Sequence, residues 1–255
     1  MTETPLAHLL ASAAWPPLAP AHENALRAAV SYVVQAFQPL AIVAAGSIVR
    51  GEPDRASDLD ICVVHEAPYK QRLQRWFGGV PVEIFVNPPG AIREYFEREH
   101  QMGRPCTAHM FVTGFPVLGC ELLDTLRHEA RGWLGKRSPL SEQQDIAGRY
   151  AAAGLLEDAE DIQERDPANC SALLGEAVLA MLQHYLRMRN GVLPARKRLL
   201  SEVERADVAL SHQARIFFDT ADLKLRMDLA RSIADACVGA RGFFEWESER
   251  LPVPP

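Results

Sequence analysis

Two carboxylates at the start of a short apolar run constrain this chain more than any other feature. The run extends from Leu59 to Val64, and Asp60 alone interrupts it. Its length and composition predict a buried strand. Residues i and i+2 of a strand face the same side, so Asp58 and Asp60 project together while Leu59 and Ile61 point to the core.

This carboxylate pair predicts a cation site. The two negative charges repel each other, strands disfavour aspartate, and burial of the pair is costly unless a cation or a shared proton offsets it. Mg²⁺ is typically held by one or two carboxylates together with substrate phosphates. Glu83 lies in the middle of another apolar run, Val80–Val86. If that strand lies beside the Asp58/Asp60 strand, Glu83 completes a site of three carboxylates.

A Gly-Ser pair ends a third apolar run, Leu40–Ala45, which also predicts a buried strand. Gly46 allows the backbone to come close to a ligand, and Ser47 adds a hydroxyl and a backbone N–H group. A polar loop that includes Arg50 follows the pair. These residues predict a place for phosphate groups next to the carboxylates.

The complete pattern is Gly46-Ser47, ten intervening residues, Asp58-x-Asp60 and a later strand acid, Glu83. It resembles the polymerase-β-like nucleotidyltransferase superfamily, and within it the small bacterial branch of aminoglycoside nucleotidyltransferases and minimal nucleotidyltransferases. The resemblance covers residues 46–86. It implies that Gly46 and Ser47 hold a triphosphate and that the Asp-x-Asp pair binds two Mg²⁺ ions. It also implies that Glu83 completes the metal site or helps to deprotonate the acceptor.

The activity that the resemblance implies is Mg²⁺-dependent transfer of a nucleoside monophosphate from an NTP, with ATP expected, to a hydroxyl group of a small molecule. Pyrophosphate is released, and an aminoglycoside-like sugar is the best-known acceptor in that family. Arg50 is a candidate phosphate ligand. Lys197, in the basic cluster 194–198, is a candidate nucleotide ligand from the second half. Two alternatives remain: adenylylation of a protein partner, as in antitoxins of this superfamily, and a non-catalytic nucleotide-binding module.

The remaining patterns divide the chain into two predicted domains. Residues 1–137 are predicted to form an α+β, polymerase-β-like domain with a mixed sheet flanked by helices, and residues 138–255 an all-α helical bundle. The segment Tyr69–Phe77 is interpreted as a helix. Ser141 is a predicted helix N-cap. The other predicted helices are 22–37, 91–100, 119–134, 168–190, 196–206, 211–219 and 221–247.

Composition excludes several classes of protein. Lys and Arg total 27 and Asp and Glu 33, giving a net charge of −6, so a whole-chain electrostatic grip on nucleic acid or an acidic membrane is not expected. The first basic residue is Arg27, so a cleaved signal peptide is not expected, and no apolar run is long enough for a membrane span. We therefore expect a cytoplasmic protein. Its oligomeric state is left open between a monomer and a homodimer. Widely spaced cysteines fit a reducing compartment without a zinc ribbon. They are Cys62, Cys106, Cys120, Cys170 and Cys237.

Overall fold

The structure is a computed structural model that describes residues 9–248 and Arg250. The chain divides into two compact units between Lys136 and Arg137. The outer ends of the two predicted domains, at residues 1–8 and 251–255, lie outside the described residues. Within the described part of the chain, no helix has the length and apolar character needed to cross a membrane.

The first unit is a mixed five-stranded sheet with flanking helices, which confirms the predicted α+β class. The strands are β1 (Ala41–Ala45), β2 (Leu59–Val64), β3 (Gln71–Phe77), β4 (Val80–Asn87) and β5 (Phe115–Leu118). Their order in the sheet is β3-β4-β2-β1-β5, with β2 and β4 parallel and the other neighbours antiparallel. The helices are α1 (Pro20–Phe37), α2 (Pro89–Gln101), α3 (Cys106–Thr113) and α4 (Glu121–Gly135).

The helix predicted over Tyr69–Phe77 is wrong, because residues 71–77 form the edge strand β3. This strand is mostly exposed, so it lacks the apolar run that marks β1 and β2. Gly78 and Gly79 have φ of +56° and +82° and join Phe77 to its partner Val80 in a two-residue hairpin. Positive φ at both central residues is the geometry of a tight hairpin turn, which glycine adopts without steric cost.

The two faces of the sheet serve different purposes. One face carries Ile42, Ile61 and Ile84, which pack with the buried side of α1. On the opposite face, Cys62 and Val64 pack in a separate core with residues of α2, α3 and α4. Since side chains alternate along a strand, Asp60 and Glu83 belong to this second face. They lie two residues before Cys62 and Phe85, respectively.

The second unit is helical, as predicted, and its helices share one apolar core. Ser141 caps the first helix, accepting a hydrogen bond from Gln144 N while the Gln144 side chain accepts one from Ser141 N. The predicted 221–247 helix is too long, because the helix that begins at Leu223 ends at Cys237 and residues 241–248 are not helical. The helices are α5 (Glu142–Ile162), α6 (Pro167–Asn190), α7 (Leu199–Ala206), α8 (Val208–Asp219) and α9 (Leu223–Cys237). A short 3₁₀ helix, Arg196–Arg198, precedes α7.

Gly114 lets the end of α3 pass close to β1, and its replacement by alanine tests this packing. A Cβ atom there would contact Val43 Cγ1 and lie 2.5 Å from Met110 O and 2.8 Å from Ala44 O. We expect Gly114→Ala to lower the free energy of unfolding by about 1–3 kcal/mol, measured by urea denaturation. The control is Gly132→Ala in α4, whose Cβ would meet nothing within 4 Å. Alanine is expected to stabilise that helix by roughly 0.5–1 kcal/mol, and equal effects of the two changes would contradict this account.

Candidate active site

Three carboxylates meet on one face of the sheet. The parallel register of β2 and β4 sets Asp60 directly beside Glu83, and Asp58 precedes Asp60 by two residues. One carboxylate oxygen from each of the three lies within 4.8 Å of the others. In the part of the chain that the structure describes, no other group of three or more His, Cys, Asp or Glu side chains comes together in this way. The three acids that the sequence singled out are therefore neighbours in space.

The local electrostatics favour a cation at this cluster. Burial and the neighbouring charges of Asp58 and Glu83 together raise the pKa of Asp60 to about 6, against the lowering effect of Arg50 and Arg72. Such a shift records the cost of holding several negative charges together away from water. Hard carboxylate oxygens at this spacing fit Mg²⁺. The residues present thus suit the divalent metal that the sequence pattern implies.

Two residues that the sequence analysis missed orient Glu83. The carboxylate is 8% exposed, and its Oε1 accepts hydrogen bonds from Arg72 Nε and, at 3.2 Å, from Gln74 Nε2. Both donors lie on β3, the strand that was interpreted as a helix. The Gly78-Gly79 pair between residues 71–77 and the strand of Glu83 is the hairpin signal that could have found them.

Gly46 stands where a side chain would collide with the cluster. It follows Ala45, the antiparallel partner of Asp60, and has φ of +92°. A Cβ atom at this position would lie 2.8 Å from Asp60 Oδ2. Glycine here both adopts the left-handed conformation and leaves room beside the carboxylate.

The other predicted nucleotide ligands lie in two different units. Ser47 begins the loop after β1, and its hydroxyl is 2.8 Å from that of Ser57. Arg50 follows in the same loop and is close enough to Asp60 to affect the pKa of that carboxyl. Lys197 belongs to the 3₁₀ helix of the second unit. Its role as a nucleotide ligand stays a prediction.

Two cysteines lie near the carboxylates, and neither has the character of a nucleophile. Burial raises the pKa of both the Cys62 and the Cys106 thiol, and the charges of Asp60 and Glu99 raise it further. These thiols stay protonated at neutral pH, whereas the thiolate is the reactive form. All five cysteines are free.

Comparisons with known proteins agree with this arrangement. Residues 26–101, which span α1 through α2 and include the whole carboxylate cluster, match the nucleotidyltransferase domain family. A nucleotidyltransferase-like protein from Exiguobacterium sibiricum 255-15 has a similar fold, with a TM-score of 0.52 and 12% sequence identity over 84% of this chain and 73% of that one. No curated protein shows significant sequence similarity to the chain. The predicted resemblance to the polymerase-β-like nucleotidyltransferase superfamily is confirmed for residues 26–101, which match a nucleotidyltransferase domain.

The raised pKa of Asp60 predicts a pH-dependent gain of stability in Asp60→Asn. The pKa rises from 3.8 to about 6 on folding, so the stability that the neutral carboxyl contributes is full below pH 4 and is lost as pH rises through 6. At 1.36 kcal/mol per pH unit, the penalty at pH 8 is up to about 3 kcal/mol. Without metal, Asp60→Asn should therefore unfold at higher urea than the wild type at pH 8 and at equal urea near pH 4.

The control for this experiment is Asp124→Asn, an exposed aspartate of α4. We expect it to change the free energy of unfolding by no more than about 0.5 kcal/mol at either pH. Added Mg²⁺ should stabilise the wild type more than Asp60→Asn. An equal gain of stability for Asp60→Asn at pH 4 and pH 8 would show that ionisation of the Asp60 carboxyl is not its source.

Proposed function

We propose that this chain, whose residues 26–101 match a nucleotidyltransferase domain, moves a nucleoside monophosphate from an NTP, with ATP as the donor, to a hydroxyl group of a small molecule. The observation that carries the proposal is the cluster of Asp58, Asp60 and Glu83 beside the open position at Gly46. In the reaction, the acceptor oxygen bonds to the α-phosphorus, and the bond from that phosphorus to the oxygen bridging to the β-phosphorus breaks. Pyrophosphate carries the leaving electron pair, and the acceptor loses its hydroxyl proton.

Asp58, Asp60 and Glu83 are the residues that would hold Mg²⁺, two ions in the form that the resemblance implies. When bound, the metal neutralises charge on the triphosphate and makes the acceptor hydroxyl more acidic. The protein prepares for this by fixing the carboxylates on adjacent strands, so that little rearrangement is needed when substrate binds.

The residues on the β1 side of the cluster suit the phosphates of the donor. Gly46 leaves space next to Asp60, and Ser47 provides a hydroxyl and a backbone N–H group. Arg50 supplies a positive charge from the same loop. Lys197 is the proposed cation from the second unit, and the effect of Lys197→Ala on the KM for NTP tests that assignment.

Glu83 is placed to act on the acceptor side of the cluster. Arg72 and Gln74 both bond its Oε1, which fixes the orientation of the carboxylate group on β4. The second oxygen can then bind metal or accept the proton of the acceptor hydroxyl. Loss of the Arg72 or the Gln74 side chain should impair turnover more than it impairs NTP binding, because the phosphates of the NTP are proposed to lie on the β1 side.

The direct test is Mg²⁺-dependent release of pyrophosphate, measured with each NTP and a panel of hydroxyl compounds that includes aminoglycosides. We expect Asp60→Asn to lower turnover at least about 100-fold, because a lost charge at a metal site costs several kcal/mol of transition-state stabilisation. Asp124→Asn, the matched change outside the cluster, should keep wild-type turnover. Unchanged turnover in Asp60→Asn would overturn the metal assignment.

A further inference from the structure

A large cavity lies on the same face of the sheet as the carboxylate cluster. Its volume is about 560 Å³, within the range of small-molecule sites. Cys62 and Phe85 line its floor, and they are the next side chains on this face after Asp60 and Glu83. Helices α2 and α3 supply another part of the lining, including Tyr95 and Thr107. The proposed function gives this space no occupant.

Positive charge dominates the lining of the cavity. The charged side chains that line it are Lys70, Arg72, Arg98 and Glu99. Lys70 Nζ and Arg98 Cζ lie 5.4 Å and 4.8 Å from the centre of the Tyr95 ring, so one aromatic side chain holds both cations by cation–π contacts. Lys70 Nζ also lies 3.8 Å from Oε2 of the exposed Glu94. Ion pairs on the surface contribute little free energy.

The one carboxylate in the lining is already engaged. Glu99 accepts hydrogen bonds from Thr107 N at 2.6 Å and from Thr107 Oγ1 at 2.8 Å. Burial raises the pKa of Glu99, against the lowering effect of the Thr107 hydrogen bonds and of Arg98. The two hydrogen bonds use both carboxylate oxygens, which leaves Glu99 less available to a cationic ligand.

The position of the cavity separates it from the proposed site of the donor phosphates. Those phosphates are assigned to the β1 side, next to Gly46, Ser47 and Arg50. The cavity instead extends over β2, β4 and β3. Arg72 stands at the junction, because it both lines the cavity and bonds Glu83.

We propose that this cavity binds the acceptor and selects a hydroxyl compound that also carries an anionic group, a phosphate or a carboxylate. Lys70 and Arg98 bind the anion, and the hydroxyl group faces the carboxylate cluster. The three cations of the lining disfavour the ammonium groups of an aminoglycoside within the cavity itself. The inference rests on the proposed function, and it narrows the class of acceptor.

The first experiment measures binding in the absence of NTP and metal by calorimetry. The probes are glucose 6-phosphate, gluconate and inorganic phosphate, with glucose and tobramycin as neutral and cationic comparisons. At least one anionic probe should bind at least about 10-fold more tightly than glucose, because hydrogen bonds to a charged group are stronger than those to a neutral hydroxyl. Tobramycin binding as tight as that of the best anionic probe, or no binding by any anionic probe, would overturn the proposal.

Two variants of α2 locate the bound anion. Arg98→Ala should lower the affinity for the best anionic probe by about 10-fold or more. Arg98→Lys should recover part of the lost affinity. Arg93→Ala is the matched control, because Arg93 is also exposed on α2 and pairs with Glu129 at 2.8 Å. Equal binding by all three variants would place the anion outside this cavity and contradict the proposal.

A third arm separates failure of this inference from failure of the proposed function. Asp60→Asn should lose Mg²⁺-dependent pyrophosphate release and keep probe binding. Pyrophosphate release with neutral or cationic acceptors alone would leave nucleotidyl transfer standing and overturn the anionic acceptor. The opposite outcome is that Mg²⁺-free ATP displaces the probe and loses affinity in Arg98→Ala to the same extent as the probe does. That result would assign Lys70 and Arg98 to the triphosphate of the NTP and overturn the acceptor site.

Discussion

The parallel pairing of β2 with β4 is the constraint on which the site depends. Its register sets Asp60 beside Glu83, and Asp58 is carried to the same place by its position two residues earlier. The free energy for this unfavourable meeting of charges comes from the apolar residues of the same strands. Leu59, Ile61 and Ile84 are fully buried, and their burial holds the register that brings the acids together.

Alternation along the strands explains how one sheet serves both stability and chemistry. Every second side chain of β2 and β4 enters the core beneath α1, while the intervening ones carry the acids and then the floor of the cavity. A shift of register by one residue would exchange these roles and bury the carboxylates in an apolar core. The site and the fold are therefore specified by the same alternation.

The second unit is stabilised by one helical core, together with contacts of its buried polar side chains. Arg187 is buried and donates to the carbonyl oxygens of Ser138 and Gly191, which ties the end of α6 to the segment before α5. His184 Nε2 lies 2.9 Å from Asp145 Oδ1, and burial lowers the pKa of this histidine. These contacts organise the unit, and they bear no resemblance to the carboxylate cluster of the first unit.

The strands β1, β2 and β4, the carboxylates, the Gly-Ser pair and the helical second half could be predicted from the sequence, because each depends on local alternation, apolar runs or spacing. The sequence patterns misassigned β3, whose exposed edge position leaves it without an apolar run, and they extended the last helix beyond Cys237. Only the tertiary structure placed Arg72 and Gln74 on Glu83 and gathered Lys70, Arg72 and Arg98 around one cavity. Those groupings arise from strand pairing and helix packing between segments far apart in sequence, for which a single sequence carries no periodic signal.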